Sequence, residues 1–236
     1  RKADGLVQFV YEEGVTNFDI HDLKEESAVE VVVTVKAEER APHGFELRLE
    51  EMKVLSQPAG PMPNPISKCK MNTSLETKLA LRPVSLRNVR ERAKFKIQEG
   101  IVRGFRDYLF TQGFTEIHTP KIVARGAEGG SNVFKLTYFN KKAELGQSPQ
   151  FYKQTMVGVY DRVFEAAPVF RAEKHNTTRH LNEYISLDFE MGYIDGFEDI
   201  MAMETGFLQY TMALLEKEYK KELDMLGVTL PDVHKI

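Results

Sequence analysis

Residues 170–192 read FRAEKHNTTRHLNEYISLDFEMG, the densest run of polar and ionisable residue types in the chain. Period-two alternation predicts a strand over residues 163–173, a polar loop, and a second strand over residues 183–194. The result is an antiparallel hairpin with Arg171, Glu173, His175, Arg179, His180, Glu183, Asp188 and Glu190 on or near its two arms. Alternating charges on a strand usually mark its solvated face. Here the neighbours Val169, Phe170, Ile185, Leu187, Phe189 and Met191 are apolar enough for a central strand. Both signs of charge on such a sheet floor suit a ligand that carries phosphate and amine together.

Outward from the hairpin, residues 197–226 read as one long amphipathic helix ended by Gly227, its Met and aromatic stripe serving core packing. Upstream, Ala93, Ile97, Ile101, Phe105 and Leu109 give helical periodicity over residues 89–112, closed by Gly113. Strands are expected at 116–123, 133–138 and 142–145, and a short helix at 151–159. Before these, QPAGPMPNP (residues 57–65) holds four prolines in nine residues. It can neither form a helix nor supply sheet donors, and it reads as a semi-rigid linker. The N-terminal part predicts strands over 5–11, 28–37 and 44–55, with a helical or irregular connection at 17–26 and a hairpin between the last two. Such strands fit a small Greek-key barrel, for which an OB-fold is the natural candidate.

Bulk properties narrow the field. The 236 residues are 42% hydrophobic and 28% charged, ordinary for a globular protein of one or two domains. No apolar run approaches the ~20 residues of a membrane span, so no membrane partner is expected. The single cysteine, Cys69, excludes an internal disulfide framework and suits a reducing cytoplasm. Six histidines without paired ligand spacing give no zinc signature. A net charge of −3 means that any nucleic-acid binding must be local.

FRAE, a loop, then RHLNEYISLDFEMGY resembles motif 2 of class II aminoacyl-tRNA synthetases, specifically the aspartyl enzymes of archaeal type. Residues 94–123, KFKIQEGIVRGFRDYLFTQGFTEIHTPKIV, look like motif 1, a long helix and a strand ending at Pro120. AEGGSNVF (127–134) and QSPQFYKQ (147–154) are similar to the amino-acid-binding segments of aspartyl-tRNA synthetases. The resemblance covers residues 73–194. It implies an α+β chain: a partial N-terminal OB-fold β-barrel for the anticodon over 1–56, a linker over 57–72, and a partial class II antiparallel-sheet catalytic domain over 73–236. Motif 3 finds no match after Gly192. With no initial methionine and no terminal helix or charged tail, the chain reads as an internal segment expected to have little activity alone.

The resemblance also implies roles. Arg171 is the expected catalytic residue at the ATP α-phosphate, where a guanidinium fork matches two oxygens. An ion pair from Arg171 to Glu165 or Glu190 is the structural alternative. Glu173, Arg179 and His180 are expected around ATP, with Tyr184 stacking on adenine and Glu183 meeting its exocyclic amine. Ser148, Gln150 and Lys153 match aspartate-binding positions, Lys153 opposite the side-chain carboxylate, while Glu128 and Asp188 match the positions that hold the amino group. On a helix opening at Pro149, Gln150 and Lys153 share a face. Gly129 and Gly130 suit a mobile loop. His175, Arg1 and Gln8 are the candidates for tRNA contact. Mg²⁺ is expected on the phosphates, with its carboxylate ligands mainly beyond Ile236. Motif 1 is expected to form a homodimer, with Ile101, Phe105 and Leu109 offering the apolar area.

The expected activity is that of an aspartate–tRNA ligase acting on tRNA-Asp, with tRNA-Asn left open. An asparaginyl-tRNA synthetase, a synthetase-derived asparagine synthetase and a non-catalytic tRNA-binding paralogue are the alternatives. The last would be expected to lose Arg171, Gln150 or Lys153, and all three are present. One departure is Ser85 in RPVSLR (82–87), where the family more usually has an acidic residue.

Overall fold

In residues 28–37, Val29, Val31 and Val33 alternate with more exposed neighbours, and the alternation is expressed as strand β2 (Ala28–Ala37). The structure is a computed structural model that describes residues 7–41, 44–64, 66–125, 132–175, 177 and 179–233. The chain divides into two units, Arg1–Val89 and Arg90–Ile236. In the first, β2 runs antiparallel to β3 (Phe45–Ser56), with Ala37 opposite Phe45. Gly44, at φ 75°, makes the left-handed turn that enters β3. β1 (Phe9–Val10) pairs parallel to β3 and completes the order β1–β3–β2. Among the described residues, the strand expected over 5–11 is thus shortened to two residues. The 17–26 connection holds a 3₁₀ turn, Ile20–Asp22, capped by Asp19, whose carboxylate accepts from the His21 N–H at 2.9 Å.

The proline-rich stretch is fastened by side-chain amides. Asn88 donates to the carbonyls of Ile66 (3.0 Å) and Lys68 (2.6 Å), and Asn64 donates to the Ser85 hydroxyl at 3.1 Å. Ser85, the departure noted in the sequence, is therefore a buried acceptor, and Arg87 pairs with Glu26 instead. Two short helices not anticipated from sequence follow the prolines: α1 (Leu75–Ala80), capped by Ser74, and α2 (Arg82–Ser85), with proline in its first turn.

In the second unit, helix α3 (Val89–Thr111) ends on Gly113 at φ 77°, with Phe114 N–H bonded to Leu109 O and Gly113 N–H to Phe110 O. That is a Schellman cap. One sheet has the order β4–β8–β9, from β4 (Thr115–Glu116), β8 (Arg162–Phe170) and β9 (Glu183–Met191). A second has the order β5–β7–β6, from β5 (Ile122–Val123), β6 (Lys135–Tyr138) and β7 (Lys141–Leu145). Helix α4 (Gln150–Tyr160) leads into β8, and α5 (Phe197–Glu218) and α6 (Lys220–Leu226) follow β9. The core joins Phe105, Leu109, Phe114, Phe164 and Met203, with Phe105 edge-on to Phe164 at 5.5 Å. A second cluster sets Ile97 and Ile101 against Leu215, Tyr219 and Leu223. Ile101, Phe105 and Leu109 thus pack inside this unit and do not offer the exposed apolar area expected of them.

Three expected elements are corrected. The strand over 116–123 splits into β4 and β5, in different sheets, because Pro120 has no N–H and a carboxylate, Glu165, takes the Thr119 N–H at 2.7 Å. The first hairpin strand ends at Phe170 rather than 173, since Ala172 N–H turns away to Asn132 O. The 197–226 helix breaks at Tyr219 (φ −120°, ψ 17°), whose ring is buried over Gly100. No described helix is long and apolar enough to cross a membrane.

Candidate active site

Residues directly opposite in an antiparallel pair share a sheet face. β8 and β9 pair Glu165 with Asp188, Val163 with Glu190, and Val169 with Tyr184. The alternate set, Phe164, Ala166, Leu187, Phe189 and Met191, packs into the helical core. Alternation therefore gathers Tyr184, Asp188 and Glu190 on the face away from that core. Glu183 falls on the opposite face and is exposed, so the structure does not bring it together with Tyr184.

Helix α4 lays Gln150 and Lys153 over this floor. Ser148 Oγ accepts from the Gln150 N–H at 3.0 Å and shapes the entry to the helix. Lys153, only 5% exposed, donates to Asp188 Oδ1 at 3.1 Å and lies 3.5 Å from Glu190 Oε2. Gln150 Nε2 donates to the same Glu190 oxygen at 3.3 Å. Asp188 Oδ2 is buried and accepts no hydrogen bond among the described residues. A buried acceptor beside a buried cation can receive an ammonium and a carboxylate at once.

At the mouth of the hairpin, Arg171 N–H donates to Asn182 O at 2.9 Å. The Asn182 amide donates back to Arg171 O (2.9 Å) and on to Glu173 O (3.0 Å), joining the two arms. Arg171 is half-buried at this junction. Beyond it the loop sets the His175 and His180 rings 4.8 Å apart, with Thr177 Oγ1 2.6 Å from His180 Nδ1. Glu173, His175 and His180 converge, and Arg179 is exposed beside them. Gln8 lies exposed ahead of β1, in the other unit. Arg1, Glu128, Gly129 and Gly130 lie outside the described residues.

Over residues 74–235 the chain matches the family described as tRNA synthetases class II (D, K and N). The chain belongs to the class II tRNA synthetases. It is 51% identical over 208 residues to an aspartate–tRNA(Asp/Asn) ligase of Deinococcus radiodurans, covering 88% of this chain and 48% of that protein. It is 42% identical over 237 residues to the corresponding ligase of Aeropyrum pernix, covering 99% of this chain and 53% of that one. The chain thus spans about half the length of these curated relatives. Among solved structures, the asparaginyl-tRNA synthetase of Pyrococcus horikoshii complexed with asparaginyl-adenylate superposes with a TM-score of 0.86 at 34% identity, covering 95% of this chain and 52% of that one. An aspartyl-tRNA synthetase from Entamoeba histolytica gives 0.77 at 27% identity, covering 96% and 50%.

Within this class II synthetase chain, two further residues organise the site: Glu165, expected only as an alternative partner of Arg171, and Asn182, not singled out in the sequence. Glu165, 2% exposed, accepts from Thr119 N–H, from Thr119 Oγ1 at 2.8 Å and from Lys121 Nζ at 2.8 Å, fastening the segment around Pro120 to β8. A lone glutamate amid the apolar run of β8 was the available signal. Asn182 is the other, and nothing in its sequence context distinguishes it from a loop residue. The ion pairs of Glu165 and Glu190 run to Lys121 and Lys153. Mg²⁺ takes oxygen ligands in octahedral geometry. The one group of three potential ligands among the described residues, Glu173, His175 and His180, is two-thirds imidazole and does not fit it.

Proposed function

We propose that the protein carrying this chain is an aspartate–tRNA ligase, activating L-aspartate with ATP and passing the aspartyl group to tRNA-Asp. The observation that carries this reading is Lys153, buried on the sheet floor against Asp188 and beside Gln150. Lys153 receives the side-chain carboxylate of aspartate, and the buried Asp188 Oδ2 receives the α-ammonium. Asparagine, with a neutral amide, brings no charged group to Lys153, so the contact that favours aspartate is lost and the two amino acids are told apart by that difference. Ser148 and Gln150 fix the approach, and Glu128 completes the ammonium site.

The α-carboxylate oxygen of aspartate attacks the α-phosphorus of ATP, and the bond to pyrophosphate breaks. Arg171 stabilises the charge that gathers on the α-phosphoryl oxygens. Tyr184 supplies the flat face for adenine; Glu173, Arg179 and His180 meet the nucleotide, and His175 meets the tRNA acceptor end. Catalysis is positioning plus electrostatics, without a covalent enzyme intermediate. The β1–β3–β2 sheet belongs to an OB-fold that binds the anticodon, with Gln8 and Arg1 as its candidate tRNA contacts. The exposed face of α3, with Phe95 at 46% and Phe110 at 53% exposure, is the dimer surface.

ATP–pyrophosphate exchange on the intact protein tests the reading. Aspartate should support exchange and asparagine should not. Equal rates with both, or exchange with asparagine alone, would favour the asparaginyl reading that the Pyrococcus horikoshii neighbour supports.

A further inference from the structure

We infer that Glu173, His175 and His180 form a binding site for a first-row divalent transition cation, with Zn²⁺ as its best-matched occupant. One ligand atom from each lies within 4.8 Å of the other two. Tetrahedral zinc with bonds of about 2.0–2.1 Å needs ligand atoms roughly 3.3 Å apart. The remaining closure falls on His175, exposed and able to turn on its own side-chain torsions. Two imidazoles and one carboxylate make a donor set for zinc and its neighbours, not for magnesium or calcium. Three protein ligands leave the fourth position to water or to an incoming oxygen.

The surroundings support a built site. Thr177 Oγ1 lies 2.6 Å from His180 Nδ1. A proton on Nδ1, donated to that hydroxyl, leaves the Nε2 lone pair for the metal and fixes the ring, as an outer partner does at metal-bound histidines. Glu173 is half-buried, and its carbonyl is held by the Asn182 amide. The carboxylate therefore starts from an anchored backbone two residues from His175. Lys174 and Arg179, exposed in the same loop, oppose a cation, and added salt screens that repulsion. No zinc signature shows in the sequence because one histidine pair lacks a third ligand, which Glu173 supplies in the structure.

An ion held here occupies Glu173 and His180, which the proposed ligase reading gives to ATP. Competition between Zn²⁺ and ATP rests on that reading; the metal site itself does not. The test is a titration of the intact protein with Zn²⁺ alone, nucleotide-free, against a chromogenic zinc chelator and with millimolar Mg²⁺ present. One Zn²⁺ per chain is expected, undisturbed by Mg²⁺. His175→Ala and His180→Ala should each lower affinity by at least ~100-fold, and Thr177→Val by ~10-fold with all three ligands retained. Cys69→Ser should change nothing. Circular dichroism of each variant separates lost ligands from lost fold. No stoichiometric zinc, or zinc binding that both histidine substitutions leave intact, overturns the site. Zinc that binds as expected yet is not displaced by ATP upholds the site and counts against the nucleotide assignment.

Discussion

Lys153, buried between α4 and β9, meets Asp188 and Glu190 at 3.1 and 3.5 Å, a place where a cation is retained only if its partners are retained. Lys153→Ala should raise the KM for aspartate at least ~10-fold, one lost charged contact being worth over 1.4 kcal/mol. An unchanged KM would remove Lys153 from the amino-acid site. Arg171→Ala should instead slow activation by roughly 10²-fold or more, as for removal of one preorganised donor. Exchange within a few-fold of the parent protein would make Arg171 structural. At this scale the sequence was informative where side chains follow a period. The three-residue spacing of Gln150 and Lys153 anticipates their shared face, and alternation anticipates the hairpin arms that carry Asp188 and Glu190. It was silent on Asn182, whose role depends on two carbonyls nine and eleven residues away in the chain. It also set Glu183 beside Tyr184, which strand alternation separates.

Among elements, the link from β8 to the segment around Pro120 runs through one carboxylate. Glu165 accepts one backbone and two side-chain donors where Pro120 leaves the ladder without an N–H. Glu165→Ala strands Lys121 and the Thr119 N–H and should destabilise the fold by about 3–5 kcal/mol. Glu165→Gln, which keeps the shape and an acceptor, should cost less in a denaturant titration. Equal midpoints for both variants would show that the carboxylate contributes nothing particular. A strand was expected over 116–123 because residue alternation cannot reveal a side chain replacing a ladder partner. The break at Tyr219 was equally hidden, with neither glycine nor proline to mark it. Where α3 approaches α5, a Cβ on Gly104 would lie 2.5 Å from Thr211 Oγ1. Gly104→Val should therefore lower stability by about 1–3 kcal/mol through overpacking. An unchanged melting temperature would contradict that close approach.

For the whole molecule, the two units raise separate questions. The first carries the sheet proposed to meet the anticodon, the second the candidate active site. Their elements were largely legible, because strands β2 and β3 and helices α3 and α4 obey strong periods. The short helices after the prolines were not, being too brief for a period to register. Ile101, Phe105 and Leu109 face inward, which leaves Phe95 and Phe110 as the apolar surface of α3. The intact protein should sediment as a dimer at micromolar concentration, and Phe95→Asp with Phe110→Asp should shift it to monomer. A dimer unmoved by both substitutions would put the interface elsewhere.

Lys153 and its two carboxylate partners do not sum to neutrality: one cation faces two anions. A guest entering this corner must import positive charge as well as an acid group, so the pocket selects for a zwitterion. Succinate, which has both carboxylates of aspartate but no ammonium, meets a surplus of negative charge and should compete poorly. The amine that nucleotide activation never touches is, on this view, the ticket of entry.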